Sequence, residues 1–87
     1  MNKILLSIAG YDPTSGAGVT LDLKVFQTLG FIGMGVLTSL TSQNTQTVKK
    51  AQCLSPRFIS DQYRHLRADV EFSGIKVGMI GCKENIG

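Results

Sequence analysis

Three polar side chains stand where an otherwise apolar, glycine-rich sequence could meet a ligand: Asp12, Asp22 and Gln43. Asp12 lies inside the turn Gly10-Tyr11-Asp12-Pro13-Thr14-Ser15-Gly16-Ala17-Gly18, and Gln43 opens the run Gln43-Asn44-Thr45. A carboxylate only accepts hydrogen bonds when ionised, whereas a carboxamide both accepts and donates. This set suits recognition of a polar small molecule. It contains no nucleophile paired with a base, and His65 stands apart as a structural or solvated residue.

The elements needed to bring the three together can be read from the hydrophobic pattern. Ile4 to Ala9 is a nearly continuous apolar run, as expected of a parallel strand buried on both faces. The glycine-rich turn follows, then a helix over about Ala17 to Leu29, with Val19, Leu23, Phe26 and Leu29 at helical spacing and Gly30 as its stop. Ile32 to Thr41 reads as a second strand and Thr47 to Leu54 as a third. Ser55-Pro56 is a hydroxyl cap followed by a first-turn proline, opening a helix to about Ala68 that buries Ile59, Leu66 and either Gln62 or Tyr63. Gly74 to Ile80 is a further buried strand, and Lys83-Glu84-Asn85-Ile86 resembles the first turn of another helix. Strands alternating with helices imply an α/β fold with a mainly parallel sheet. Asp12, Asp22 and Gln43 would then converge at the C-terminal edge of that sheet, where open α/β folds bind ligands.

The turn itself matches neither common nucleotide signature. A phosphate loop of the GxxxxGK[ST] type fails because Ala17-Gly18 follows Gly16. A dinucleotide GxGxxG fails because the third position is Leu21. Two readings remain open from the residues alone. The glycines either serve only a sharp strand-to-helix turn, or they bring backbone N–H groups close to a bound polar ligand.

Composition narrows the class. The 87 residues allow one domain at most, with 43% hydrophobic and 17% charged residues. No apolar run reaches the roughly 18 residues of a membrane span, and the apolar N-terminal stretch is too short for a signal peptide. The expected compartment is the cytoplasm, with no membrane partner. The net charge of +3 comes from scattered residues, Lys49, Lys50, Arg57, Arg64 and Arg67 among them. No basic stripe interleaved with aromatics marks a nucleic-acid surface. Cys53 and Cys82 lie far apart without metal-type spacing and read as buried or incidental thiols, and no metal ligands are assigned. The chain ends where a strand should be passing into its covering helix. It is therefore expected to be a single incomplete domain over residues 1–87.

Four blocks carry a more specific likeness. They are Ala9-Gly10-Tyr11-Asp12-Pro13-Thr14-Ser15-Gly16-Ala17-Gly18 with Asp22-Leu23-Lys24-Val25-Phe26, then Leu29-Gly30-Phe31-Ile32-Gly33, Thr38-Ser39-Leu40-Thr41-Ser42-Gln43-Asn44-Thr45, and Lys76-Val77-Gly78-Met79. In this order they resemble the hydroxymethylpyrimidine/phosphomethylpyrimidine kinases of thiamine biosynthesis. The resemblance implies the N-terminal, substrate-side portion of a ribokinase-like three-layer fold. It departs at Ser15, where the family has glycine, and at Thr20-Leu21, where the family has Gln-Ala.

The resemblance also implies roles. Gln43 matches the glutamine that reads the aminopyrimidine, and Gly10, Ala17, Asp22 and Met79 match positions lining the same pocket. Asp22 would accept from a substrate amine or hydroxyl, although an early helical aspartate is often only a dipole partner. Met79 fits a core position equally well. The implied reaction moves the ATP γ-phosphoryl group, with Mg²⁺, onto the hydroxymethyl oxygen and then onto the monophosphate. The family's Gly-Thr-Gly-Cys anion hole is absent from the sequence, so no catalytic residue is assigned in this chain and it is expected to be inactive alone. Family members commonly pair, which makes a homodimer a candidate assembly. The competing expectations are a non-catalytic pyrimidine-binding remnant and a pyridoxal-type vitamin kinase of the same fold.

Overall fold

The computed structural model describes residues 3–46 and 48–78. Six elements follow one another: β1 (Ile4–Tyr11), α1 (Gly18–Thr28), β2 (Ile32–Gln43), β3 (Val48–Cys53), α2 (Pro56–Arg67) and β4 (Gly74–Val77). The strands form one sheet in the order β3-β2-β1-β4. β1 runs parallel to both β2 and β4, while β3 returns antiparallel along β2. The sheet is therefore mixed but mainly parallel, as the alternation of elements implies.

Each helix is bounded by the chemistry its ends require. Ser55 caps α2, its hydroxyl oxygen accepting from the Phe58 N–H at 3.1 Å, and Pro56 occupies the first turn. At the end of α1, the Phe31 N–H reaches the Phe26 carbonyl at 2.9 Å and the Gly30 N–H reaches Gln27 at 3.0 Å. This pair of bonds closes the helix in a Schellman motif, with Gly30 in the left-handed region at φ 91°.

α1 packs across β1 and β2. The residues beneath it alternate along the strands: Ser7 meets Asp22, while Gly33 and Gly35 lie under Leu23 and Val19. The opposite set, Leu6, Val36 and Thr38, is fully buried as well, and α2 is the other helix packed on β2. A right-handed crossover places successive helices on opposite faces when the chain moves first one way along the sheet and then the other. From β1 it steps through α1 to parallel β2, and from β2, by way of the β3 return and α2, it crosses back to parallel β4, which gives helix, sheet and helix as three layers.

One contact joins α2 to the sheet in an uncommon way. The Gln62 side chain accepts from the Leu37 N–H at 2.9 Å and donates to the Leu37 carbonyl at 2.8 Å. β3 pairs with β2 only from Ser39 onward. The carboxamide thus stands in for a neighbouring peptide where the ladder has ended.

Two expectations need correction. The strand expected from Gly74 to Ile80 is not buried over its described part, Gly74–Val77, and Ile80 lies outside the described residues. β4 ends at Val77, which is 58% exposed, because β1 is its sole strand neighbour among the described residues. Cys53 is disulfide-bonded rather than an incidental thiol. Met79, Cys82 and Lys83–Ile86 lie outside the described residues. Among the described residues no helix is long and apolar enough to cross a membrane.

Candidate functional site

The chain leaves β1 toward β2 on one side, and β4 lies on the other. This reversal opens a crevice beyond the C-terminal ends of the strands. A cleft of about 500 Å³ occupies it, formed by the end of β1, the start of α1, Ser39 and Thr41 of β2, Lys76 of β4 and Gly78 just after it. That volume falls within the range of about 300–1,000 Å³ usual for small-molecule sites.

The glycine-rich turn builds one wall. Asp12 Oδ1 accepts from both the backbone N–H and the hydroxyl of Thr14 at 2.8 Å, and the Ser15 N–H reaches the Asp12 carbonyl at 3.0 Å. These bonds fold residues 12–15 into a tight side-chain-stabilised turn. Asp12 thus shapes the loop. Ser15, standing where a glycine is expected from the resemblance, takes φ 61° despite its side chain. Ala17 precedes α1 in an extended conformation and has no side chain to cap it. The helix accordingly begins beside the cleft without a side-chain cap on its first N–H groups.

Asp22 sits within α1 and not in its first turn, so the dipole-partner reading gives way to a different arrangement. Its carboxylate is 7% exposed and is held by donors from two strands. The Ser7 hydroxyl donates to Oδ2 at 2.7 Å, and Lys76 Nζ donates to Oδ1 at 2.6 Å. Ser7 and Lys76 are direct partners in the β1–β4 register, so both donors rise from one rung of the sheet.

Of the residues singled out from the sequence, Gly10, Asp12, Ala17 and Asp22 line the same cleft. Gln43 ends β2, and β2 outruns β1: Tyr11 pairs with Leu40, three residues earlier. At about 3.3 Å per residue, β2 and β3 project roughly 10 Å past the end of β1. The Thr41 hydroxyl ties this projecting arm to the Tyr11 carbonyl at 3.0 Å. Gln43 therefore stands at the same sheet edge, on an arm beyond it. Met79 lies outside the described residues. Sequence reasoning overlooked Ser7 and Lys76. Both carry a signal, since each is a polar residue inside a strand of apolar ones and needs a partner there.

Comparison with known proteins agrees with this architecture. The phosphomethylpyrimidine kinase family model matches residues 12–87. A hydroxymethylpyrimidine/phosphomethylpyrimidine kinase of Rhizobium meliloti is 40% identical over 86 residues, covering 99% of this chain and 32% of the relative. A crystal structure of phosphomethylpyrimidine kinase from Clostridium difficile superposes with a TM-score of 0.92 at 36% identity, over 98% of this chain and 37% of that one. The pyridoxal kinase of Staphylococcus aureus, solved with AMP-PCP, gives a TM-score of 0.84 at 33% identity, over 99% and 32%. The chain spans about a third of the length of these relatives.

Proposed function

The chain belongs to the phosphomethylpyrimidine kinase family, and on that premise we propose that its cleft is the acceptor side of a kinase that phosphorylates 4-amino-5-hydroxymethyl-2-methylpyrimidine and its monophosphate in thiamine biosynthesis. The convergence of Gly10, Ala17 and Asp22 on one cleft at the strand ends carries the reading. The buried Asp22 carboxylate offers an acceptor to the substrate's amine or hydroxyl. A carboxamide at Gln43 would complement the adjacent ring nitrogen and exocyclic amine, which a carboxylate could not, having no donor for the nitrogen.

ATP with Mg²⁺ would supply the phosphoryl group, and this chain's share is to bind and orient the acceptor oxygen. The residues that would hold ATP and Mg²⁺ are expected mostly outside this chain. The chain supplies the pyrimidine-binding part and does not turn over by itself.

A second reading, a pyridoxal-type acceptor, draws on the likeness to the Staphylococcus aureus pyridoxal kinase. Calorimetric titration with the aminopyrimidine alcohol and with pyridoxal separates the two, and a parallel assay follows ATP turnover by the chain. Saturable aminopyrimidine binding that pyridoxal displaces weakly, with no turnover, is the expected result. Tighter pyridoxal binding would favour the second reading. Failure to bind either at millimolar ligand would sink both.

A further inference from the structure

We infer that Lys76 is a positioning residue of the acceptor site, fixing through Asp22 the direction in which the buried carboxylate presents its remaining acceptor sites to a ligand. The inference rests on the reading of Asp22 as a substrate contact. A carboxylate withdrawn from water needs partners. Asp22 has one donor on each oxygen, Ser7 on Oδ2 and Lys76 on Oδ1. Ser7 alone would anchor a single oxygen and leave the group free to swing about that bond. Adding Lys76 on the other oxygen fixes the carboxylate plane, and with it the lone pairs that face the cleft lined by both residues.

The two donors differ in kind. The Ser7 side chain is buried under α1, whereas the Lys76 stem is 60% exposed and reaches its partner from the rim. Charge-assisted contacts of this length are about twice as strong as neutral ones, and this one holds a mobile side chain against a fixed one. β4 thereby contributes to the site by holding a group on α1.

The test compares Lys76→Met and Lys76→Arg, each with Asp22 intact and with Asp22→Asn, by titrating the chain with 4-amino-5-hydroxymethyl-2-methylpyrimidine and following amide shifts up to millimolar ligand. With Asp22 present, Lys76→Met is expected to weaken binding about tenfold and Lys76→Arg to restore most of it. In the Asp22→Asn chain the same Lys76→Met change should cost less than about twofold. A purely structural role would lower the melting temperature while leaving the affinity of the folded chain unchanged. Should Lys76→Met fail to fold, Lys76→Gln, which keeps a neutral donor, carries the comparison, with a loss confined to the Asp22 chain expected. Equal losses in both backgrounds, or none in either, overturn the inference while leaving the proposed function standing. A wild-type chain that takes up no aminopyrimidine overturns both.

Discussion

The Gly10 carbonyl oxygen lies only 2.2 Å from where a Cβ on Gly18 would sit. Gly18 also has φ 71°, and it pairs back to Tyr11 as an isolated antiparallel bridge. The turn therefore closes on itself at its two ends, and no side chain fits at the closing point. Gly18→Ala combines a left-handed backbone with a clash against a carbonyl, and should destabilise the chain by about 2–4 kcal/mol. Urea denaturation checks this. An alanine variant within about 0.5 kcal/mol of wild type would mean the turn closes differently.

Ser15 presents the opposite case. A non-glycine residue at φ 61° carries a cost of about 1–2 kcal/mol, which glycine avoids while losing some of the gain to a more disordered unfolded chain. Ser15→Gly is expected to leave stability unchanged or raise it by up to about 1 kcal/mol, with aminopyrimidine binding intact. Denaturation and titration together decide. A stability loss above about 1 kcal/mol would show that the serine side chain holds the loop.

The Gln62–Leu37 pair predicts an asymmetry between two substitutions. Gln62→Ala strips two hydrogen bonds from a part-buried peptide group and should cost about 1–3 kcal/mol. Gln62→Glu keeps an acceptor for the Leu37 N–H but sets a second acceptor against the Leu37 carbonyl, so its cost should be at least as large. Hydrogen exchange at the Leu37 amide reads the contact directly. Unchanged protection in Gln62→Ala would contradict the role assigned to the carboxamide.

Much of this architecture was legible because local signals agreed with the global fold. Ser55-Pro56 and Gly30 fixed helix ends through capping chemistry, and the apolar run from Ile4 marked a central strand. The antiparallel return of β3 was not legible, since pairing direction depends on contacts remote in sequence. For the same reason Gln62 gave no hint that it would complete the edge of β2. In the cleft, the glycine turn and Asp22 stood out by type and spacing. Ser7 and Lys76 did not, because a single polar residue within a strand names no partner until register places β1 beside β4. Asp12 lines the cleft as its place in the turn suggested, and it also shapes the loop through Thr14 and Ser15, which the sequence did not show.

The central claim is that the cleft at the strand ends receives the aminopyrimidine. Mapping amide chemical shifts in the isotope-labelled chain during titration with 4-amino-5-hydroxymethyl-2-methylpyrimidine tests it most directly. Saturable shifts are expected at Gly10, Ala17, Gly18, Asp22 and Gly78, with α2 residues such as Arg57 and His65 unmoved. Shifts confined to α2, or none at millimolar ligand in a folded chain, would contradict it.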